Sequence, residues 1–192
     1  MRIIFLGPPG AGKGTQSALI ASAAGIPAIS TGDIFRANIT SGTELGRQVK
    51  AILGAGGYVP DEVTNAIVRD RLAQTDAVGG FLLDGYPRTP GQVEALDEML
   101  SEQGFALDIV LELTVDTDEV VGRLLRRAQE GRADDTEDVV RERLRIYREE
   151  TAPLAATYRQ HGLLRQVDGV GTVEEVTARL VSVLEQGRVA AG

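Results

Sequence analysis

A chain of 192 residues, 43% of them hydrophobic, is long enough to bury one substantial core and too short for two full domains. Its 20 basic and 28 acidic residues leave a formal charge of −8, which argues against broad electrostatic attachment to nucleic acid or to an anionic membrane; any phosphate site has to be a local concentration of positive charge. Cysteine is absent, which removes disulfides, thiol catalysis and cysteine-ligated zinc and is compatible with a cytoplasmic location.

The first predicted strand is Arg2–Leu6, whose apolar part is far too short for a signal-peptide core or a membrane span. It runs straight into Gly7-Pro8-Pro9-Gly10-Ala11-Gly12-Lys13-Gly14-Thr15, and a helix is predicted to follow. Strand, glycine-rich loop and helix together make a P-loop. The glycines let backbone N–H groups turn inward around phosphates, the helix N-terminus adds positive potential, and Lys13 reaches the β- and γ-phosphates. Such loops usually carry Ser or Thr directly after the lysine to ligate magnesium. Here Gly14 stands there and the hydroxyl follows at Thr15, which leaves direct ligation by Thr15 open.

Pro27–Ser30 is the second predicted strand, and residues from about Thr31 to Leu72 then read as several short helices with no strand between them, a small helical insertion. Gly80–Leu83 is the third strand. Asp84 at its end is expected at the carboxyl edge of the sheet, where such folds bind ligands, as a partner for phosphate-borne magnesium, directly or through water. Ile109–Leu113 is the fourth strand, and Asp116 followed by Glu119 opens a helix on which Arg123 and Arg127 share a face. A polar stretch from about Arg127 to Thr136 reads as a short exposed flap. Thr136 to about Arg159 is a long helical pattern that Pro153 is expected to bend or interrupt. His161 before Gly162 reads as a helix C-cap rather than a catalytic group. Leu163–Val167 is the fifth strand, and the capping box Thr172/Glu175 opens a last helix with Val173, Val176, Leu180, Val183 and Leu184 on one face. Five continuous apolar strands alternating with helices predict a three-layer α/β P-loop core with a parallel sheet covered on both faces.

Phosphoryl transfer requires two anions held in line and neutralisation of the charge spread over the transferring group. One P-loop does not supply this, and the candidate cations outside it are Arg36, Arg88, Arg123, Arg127, Arg132 and Arg143. Two other classes of P-loop protein fit less well. A GTP-dependent switch should carry an Asn-Lys-x-Asp base-reading motif, which is missing, and Thr31-Gly32-Asp33 and Asp84-Gly85-Tyr86-Pro87-Arg88 weigh against a kinase for a small alcohol.

Gly7 to Gln16, Ile29 to Arg36, Gly80 to Arg88, Arg132-Ala-Asp-Asp135 and Tyr147 to Pro153 resemble the adenylate kinases, in particular the bacterial short-lid type, nearly end to end. The resemblance implies a single P-loop kinase domain over residues 1–192. Within it lie a monophosphate-binding insertion at about 30–59, a short lid at about 126–136 and a flexible tail at about 188–192. It implies the reaction ATP + AMP ⇌ 2 ADP with magnesium, no zinc, and a cytoplasmic monomer whose partners are ATP, AMP and ADP and neither nucleic acid nor membrane. It assigns Gly10, Ala11, Gly12, Lys13, Gly14 and Thr15 to the ATP phosphates, Arg123 and Gly171 to the ATP adenine, and a lid arginine to the ATP phosphates. That arginine is Arg127, with Arg126 as the alternative. The acceptor pocket implied is Thr31, Arg36, the backbone of Gly57, Tyr58 and Val59, then Gly85, Tyr86, Pro87, Arg88 and Gln92, with Arg132 and Arg143 holding phosphates where the two substrates meet.

Overall fold

The computed structural model describes residues 1–129 and 136–190, apart from the side chains of 125, 127–129 and 188–190. Five strands, β1 (Arg2–Leu6), β2 (Ala28–Ser30), β3 (Phe81–Asp84), β4 (Ile109–Thr114) and β5 (Leu164–Asp168), form one parallel sheet in the order β2-β3-β1-β4-β5. The central strand β1 shows why the sheet needs two covers. Ile4 and Leu6 face one layer, Ile3 and Phe5 the other, and all four are buried. Removing side chains of this size from water contributes about 1.5–3 kcal/mol each.

On one face lie α1 (Lys13–Ala24), which contributes Ile20 and Ala21, and α9 (Val173–Ala190), which contributes Val176, Leu180 and Leu184. The capping box of α9 is formed reciprocally, with Thr172 N donating to Glu175 Oε2 at 2.8 Å and Glu175 N to Thr172 Oγ1 at 3.2 Å. Val173, expected on the apolar face, is 45% exposed at the first position of the helix. Helix α9 continues to Ala190 and so takes in residues 188–190 of the expected tail.

The opposite face is covered by α4 (Asp61–Leu72), α5 (Pro90–Ser101) and α8 (Leu154–Gln160) through Val68, Leu72, Leu96, Met99, Leu154 and Tyr158. Because α1 follows β1 on one face and α5 follows β3 on the other, a crevice opens at the carboxyl ends of these neighbouring strands.

Between β2 and α4, α2 (Thr31–Thr40) and α3 (Glu44–Gly54) are each capped by a hydroxyl, Ser30 accepting from Asp33 N and Thr43 from Gly46 N. They pack around a separate small core of Phe35, Val49 and Val59. That core also takes Val63 and Ile67 from α4, so α4 serves both cores. Helices α6 (Thr117–Gln129) and α7 (Glu137–Ile146) pack through Val120, Leu124, Val140 and Leu144, and most of the expected lid between them lies outside the described residues. Asp116 caps α6 through Asp118 N at 2.8 Å. Glu119, expected to complete the box, instead turns to Arg123 at 2.8 Å, because a guanidinium one turn along the helix offers it a charged partner.

The long helical pattern after residue 136 is interrupted ahead of Pro153, by a π-helical turn over Tyr147–Thr151. Proline has no N–H and its ring crowds the carbonyl four residues back, so the chain widens and Ala152 N donates to Tyr147 O at 2.8 Å. Helix α8 ends as expected, with His161 N donating to Thr157 O and Gly162 in the left-handed region.

Candidate active site

The P-loop leaves β1 and enters α1 with Gly12 at the N-cap, φ 99°, and no side chain capping the first turn. Uncapped N–H groups at a helix start are a seat for an anion. Gly10 has φ 86°, and a Cβ there would lie 2.7 Å from Leu124 Cγ and 3.1 Å from Val120 O, so the loop rests directly on α6. Lys13 Nζ donates to Gly7 O at 2.6 Å and Pro8 O at 2.9 Å, which holds the ammonium across the mouth of the loop. Ala11 is buried and does not line the cleft.

Arg123 donates through Nε to Glu119, through Nη1 to Ala11 O at 3.1 Å and through Nη2 to Gly169 O at 3.1 Å. It thereby ties the P-loop to the loop after β5. Gly171 lies in that loop at φ 126°, where a Cβ would come within 2.5 Å of the capping carboxylate of Glu175.

Gly12, Lys13, Gly14 and Thr15 face a cleft of about 670 Å³. Its other walls are Arg36 from α2, Gly57 and Tyr58 from the α3–α4 loop, Gly85 to Arg88 after β3, and Arg143 from α7. Arg36 is paired with Asp33 one turn earlier. Arg88 is fixed at three points. Its N donates to Gln92 Oε1 at 2.8 Å, its Nε to Gly85 O at 2.7 Å, and its carbonyl accepts from Thr151 Oγ1 at 2.9 Å. The Gly85 carbonyl also accepts from Thr31 Oγ1 at 2.9 Å. Gly85 sits at φ 80°, in the left-handed region that favours glycine, and a Cβ there would also crowd Thr31 Oγ1 at 3.0 Å.

Thr31, Val59 and Gln92 stand behind this wall, each almost fully buried. The Gln92 amide has already spent one acceptor on Arg88 and one donor on Asp61 Oδ1 at 2.6 Å, leaving one of each. The side chain of Arg127 and the whole of Arg132 lie outside the described residues. Asp84 pairs in register with Phe5 and reaches the cleft, where it also borders a smaller adjoining cavity of about 240 Å³ with Asp33. Among the described residues no group of three or more His, Asp or Glu could cage a metal. One carboxylate beside a phosphate seat suits a hard cation that arrives on a nucleotide and keeps most of its waters.

Tyr147 and Thr151 also line the cleft, and neither carries an expected role. Burial pushes the Tyr147 hydroxyl well above its ordinary pKa, so it stays a neutral donor and acceptor. Their signal in the sequence is Pro153, since widened helical turns of this kind gather at functional sites.

A phosphate loop and a set of arginines facing each other across the carboxyl edge of a parallel sheet ordered β2-β3-β1-β4-β5 define a P-loop phosphotransferase of the nucleoside monophosphate kinase class. The adenylate kinase family model matches residues 5–163, and the chain belongs to the adenylate kinase family. It is 63% identical over 186 residues to the adenylate kinase of a Nocardioides species, covering 96% of this chain and 97% of that one. It is 58% identical to the adenylate kinase of Kocuria rhizophila (96% and 99% covered) and 56% identical to that of Thermobifida fusca (96% and 98% covered).

Proposed function

We propose that the protein transfers the terminal phosphoryl group of magnesium-bound ATP to AMP, reversibly, giving two ADP, and so serves adenine nucleotide balance and purine nucleotide salvage. One observation carries the reading. Lys13 on the P-loop and Arg36, Arg88 and Arg143 on the opposite wall open into a single cleft, which can hold two phosphate chains at once.

In this reading the P-loop backbone from Gly10 to Thr15 and Lys13 hold the ATP phosphates, and Arg123 and Gly171 border its adenine. Arg36 and Arg88 hold the AMP phosphate, with Arg143, Arg132 and Arg127 closing over the join. Thr31, Gln92 and the backbone of Gly57 to Val59 form the AMP base side. The metal bound with ATP would be held from the protein by Asp84, through water, and supplies neutralisation of phosphate charge. The attacking oxygen of AMP is already anionic near neutral pH, so the chain needs no strong general base. Its work is alignment, positive charge and exclusion of water. The insertion at about 30–59 and the lid at about 126–136 are the parts that would close to exclude it. The same reading makes the protein a zinc-free cytoplasmic monomer without nucleic acid or membrane partners.

The test follows ATP with and without AMP. Two ADP formed per ATP consumed, with negligible free phosphate, is the expected result. Phosphate release independent of AMP would overturn the reading in favour of a hydrolytic switch.

A further inference from the structure

We propose that Tyr58 and Thr151 are positioning residues that preset Arg88 for the acceptor phosphate, through a hydrogen-bond relay from the helical insertion to the π-helical turn. The inference rests on the reading of Arg88 as an acceptor-phosphate contact.

The direction of the relay follows from counting hydrogens. Tyr58 Oη and Thr151 Oγ1 lie 2.9 Å apart, and either could donate to the other. Thr151 Oγ1 is also 2.9 Å from the carbonyl of Arg88, which can only accept. The single hydroxyl hydrogen of Thr151 is therefore committed to Arg88, and Tyr58 must donate to Thr151. Hydroxyls chained in one direction polarise each other, so each bond strengthens the next.

Tyr58 acts on Arg88 a second time. The Arg88 guanidinium lies over the Tyr58 ring with its carbon 4.8 Å from the centroid, so its flat face is supported while Nε is held by Gly85. The backbone is pinned by Thr151 and Gln92, and the side chain by Gly85 and the Tyr58 ring. Tyr58 comes from the α3–α4 loop and Thr151 from the turn before Pro153. Beside Tyr58, a Cβ on Gly56 would lie 3.0 Å from Val139 O and 3.3 Å from Arg143 Cγ, so this loop is seated on α7 as well. The position of the insertion is thus transmitted to the arginine that meets the acceptor.

The test is steady-state kinetics on Tyr58→Phe, Thr151→Val and Thr151→Ser, alone and in an Arg88→Ala background, with melting curves on each. Losing one hydrogen bond of the relay should raise KM for AMP about three- to tenfold, with KM for ATP unchanged. Thr151→Ser keeps the hydroxyl and should retain the wild-type constant. The Tyr58→Phe/Thr151→Val double variant should cost little more than Thr151→Val, and neither change should cost anything further once Arg88 is alanine. Equal rises in both KM values, a lowered melting temperature with unchanged KM for AMP, or the same fold-loss in the Arg88→Ala background would each overturn the proposal. Arg88→Ala with normal AMP kinetics would remove the acceptor-site reading itself. An affected Arg88→Ala with unaffected Tyr58→Phe and Thr151→Val would remove only the relay. Should Thr151→Val fail to fold, Tyr58→Phe and Thr151→Ser still decide.

Discussion

Gly10→Ala separates the two things the P-loop asks of its backbone. The residue sits at φ 86°, and an added Cβ would meet Leu124 Cγ at 2.7 Å and Cδ2 at 3.1 Å. The left-handed backbone costs an L-residue about 1–2 kcal/mol, and overpacking against a buried leucine adds about 1–3 kcal/mol. The expected destabilisation is the sum, about 2–5 kcal/mol. Leu124→Ala alone should cost about 2–5 kcal/mol through the cavity it leaves between α6 and α7. In the double variant the new methyl group enters that cavity, so the overpacking against Leu124 disappears while the approach to Val120 O at 3.1 Å and the backbone strain remain. Urea unfolding followed by circular dichroism should therefore find the double variant more stable than additivity predicts, by about 1–3 kcal/mol. Its turnover should still be low, because the approach to Val120 O and the left-handed backbone both still oppose the native path of the loop. Additivity within about 0.5 kcal/mol would refute the claim that the loop is seated on Leu124.

Lys13→Met should abolish most transfer while leaving the circular dichroism spectrum unchanged, since Lys13 lines the cleft and takes no part in the apolar core; wild-type turnover in a folded variant would contradict its role. Desolvation raises the Asp97 pKa in the folded state, with nearby His161 opposing it. A carboxyl whose folded pKa is raised favours the native state while protonated, and that advantage is lost as pH rises from the unfolded value through the folded one. Asp97→Asn should accordingly raise the melting temperature near pH 7 and change it little at about pH 3, where both states hold the proton. A lowered melting temperature near neutrality would reverse the sign of this account.

Strands β1, β3 and β4 were legible because each is an apolar run buried on both faces, and the carboxyl ends of β1 and β2 were legible too, but those of β3, β4 and β5 were not. Asp84, Thr114 and Asp168 continue the ladder opposite Phe5, Asp168 and Thr114, past the point where the hydrophobic pattern stops. Backbone pairing outlasts side-chain polarity at the edge where ligands bind. The P-loop was legible because its residues are contiguous and Gly7, Gly10 and Gly12 each answer a local geometric need. The wall of the cleft opposite the P-loop was legible in part, through Arg36 and Arg88 beside recognisable loops. What sequence order conceals is how buried polar groups pair at long range. Gln92 is spent partly on Asp61, 31 positions away, and Tyr58 on Thr151, 93 positions away, and no local pattern encodes either pairing. The π-helical turn was half visible, since Pro153 announces a disturbance without stating which backbone bonds will absorb it.

The choice of acceptor tests the central claim most directly. Thr31 and Gln92 are buried polar groups behind the wall that the proposed function assigns to the acceptor, and Gln92 has one donor and one acceptor left, a pair that suits an adenine edge. A base that cannot match them leaves buried groups unpaired, which is the strongest kind of discrimination a pocket offers. The measurement is kcat/KM for AMP, GMP, UMP and CMP at saturating magnesium-ATP. A preference for AMP of at least about a hundredfold is predicted. A value for UMP or CMP equal to or above that for AMP would contradict the assignment of AMP as acceptor, while leaving the fold and the P-loop chemistry intact.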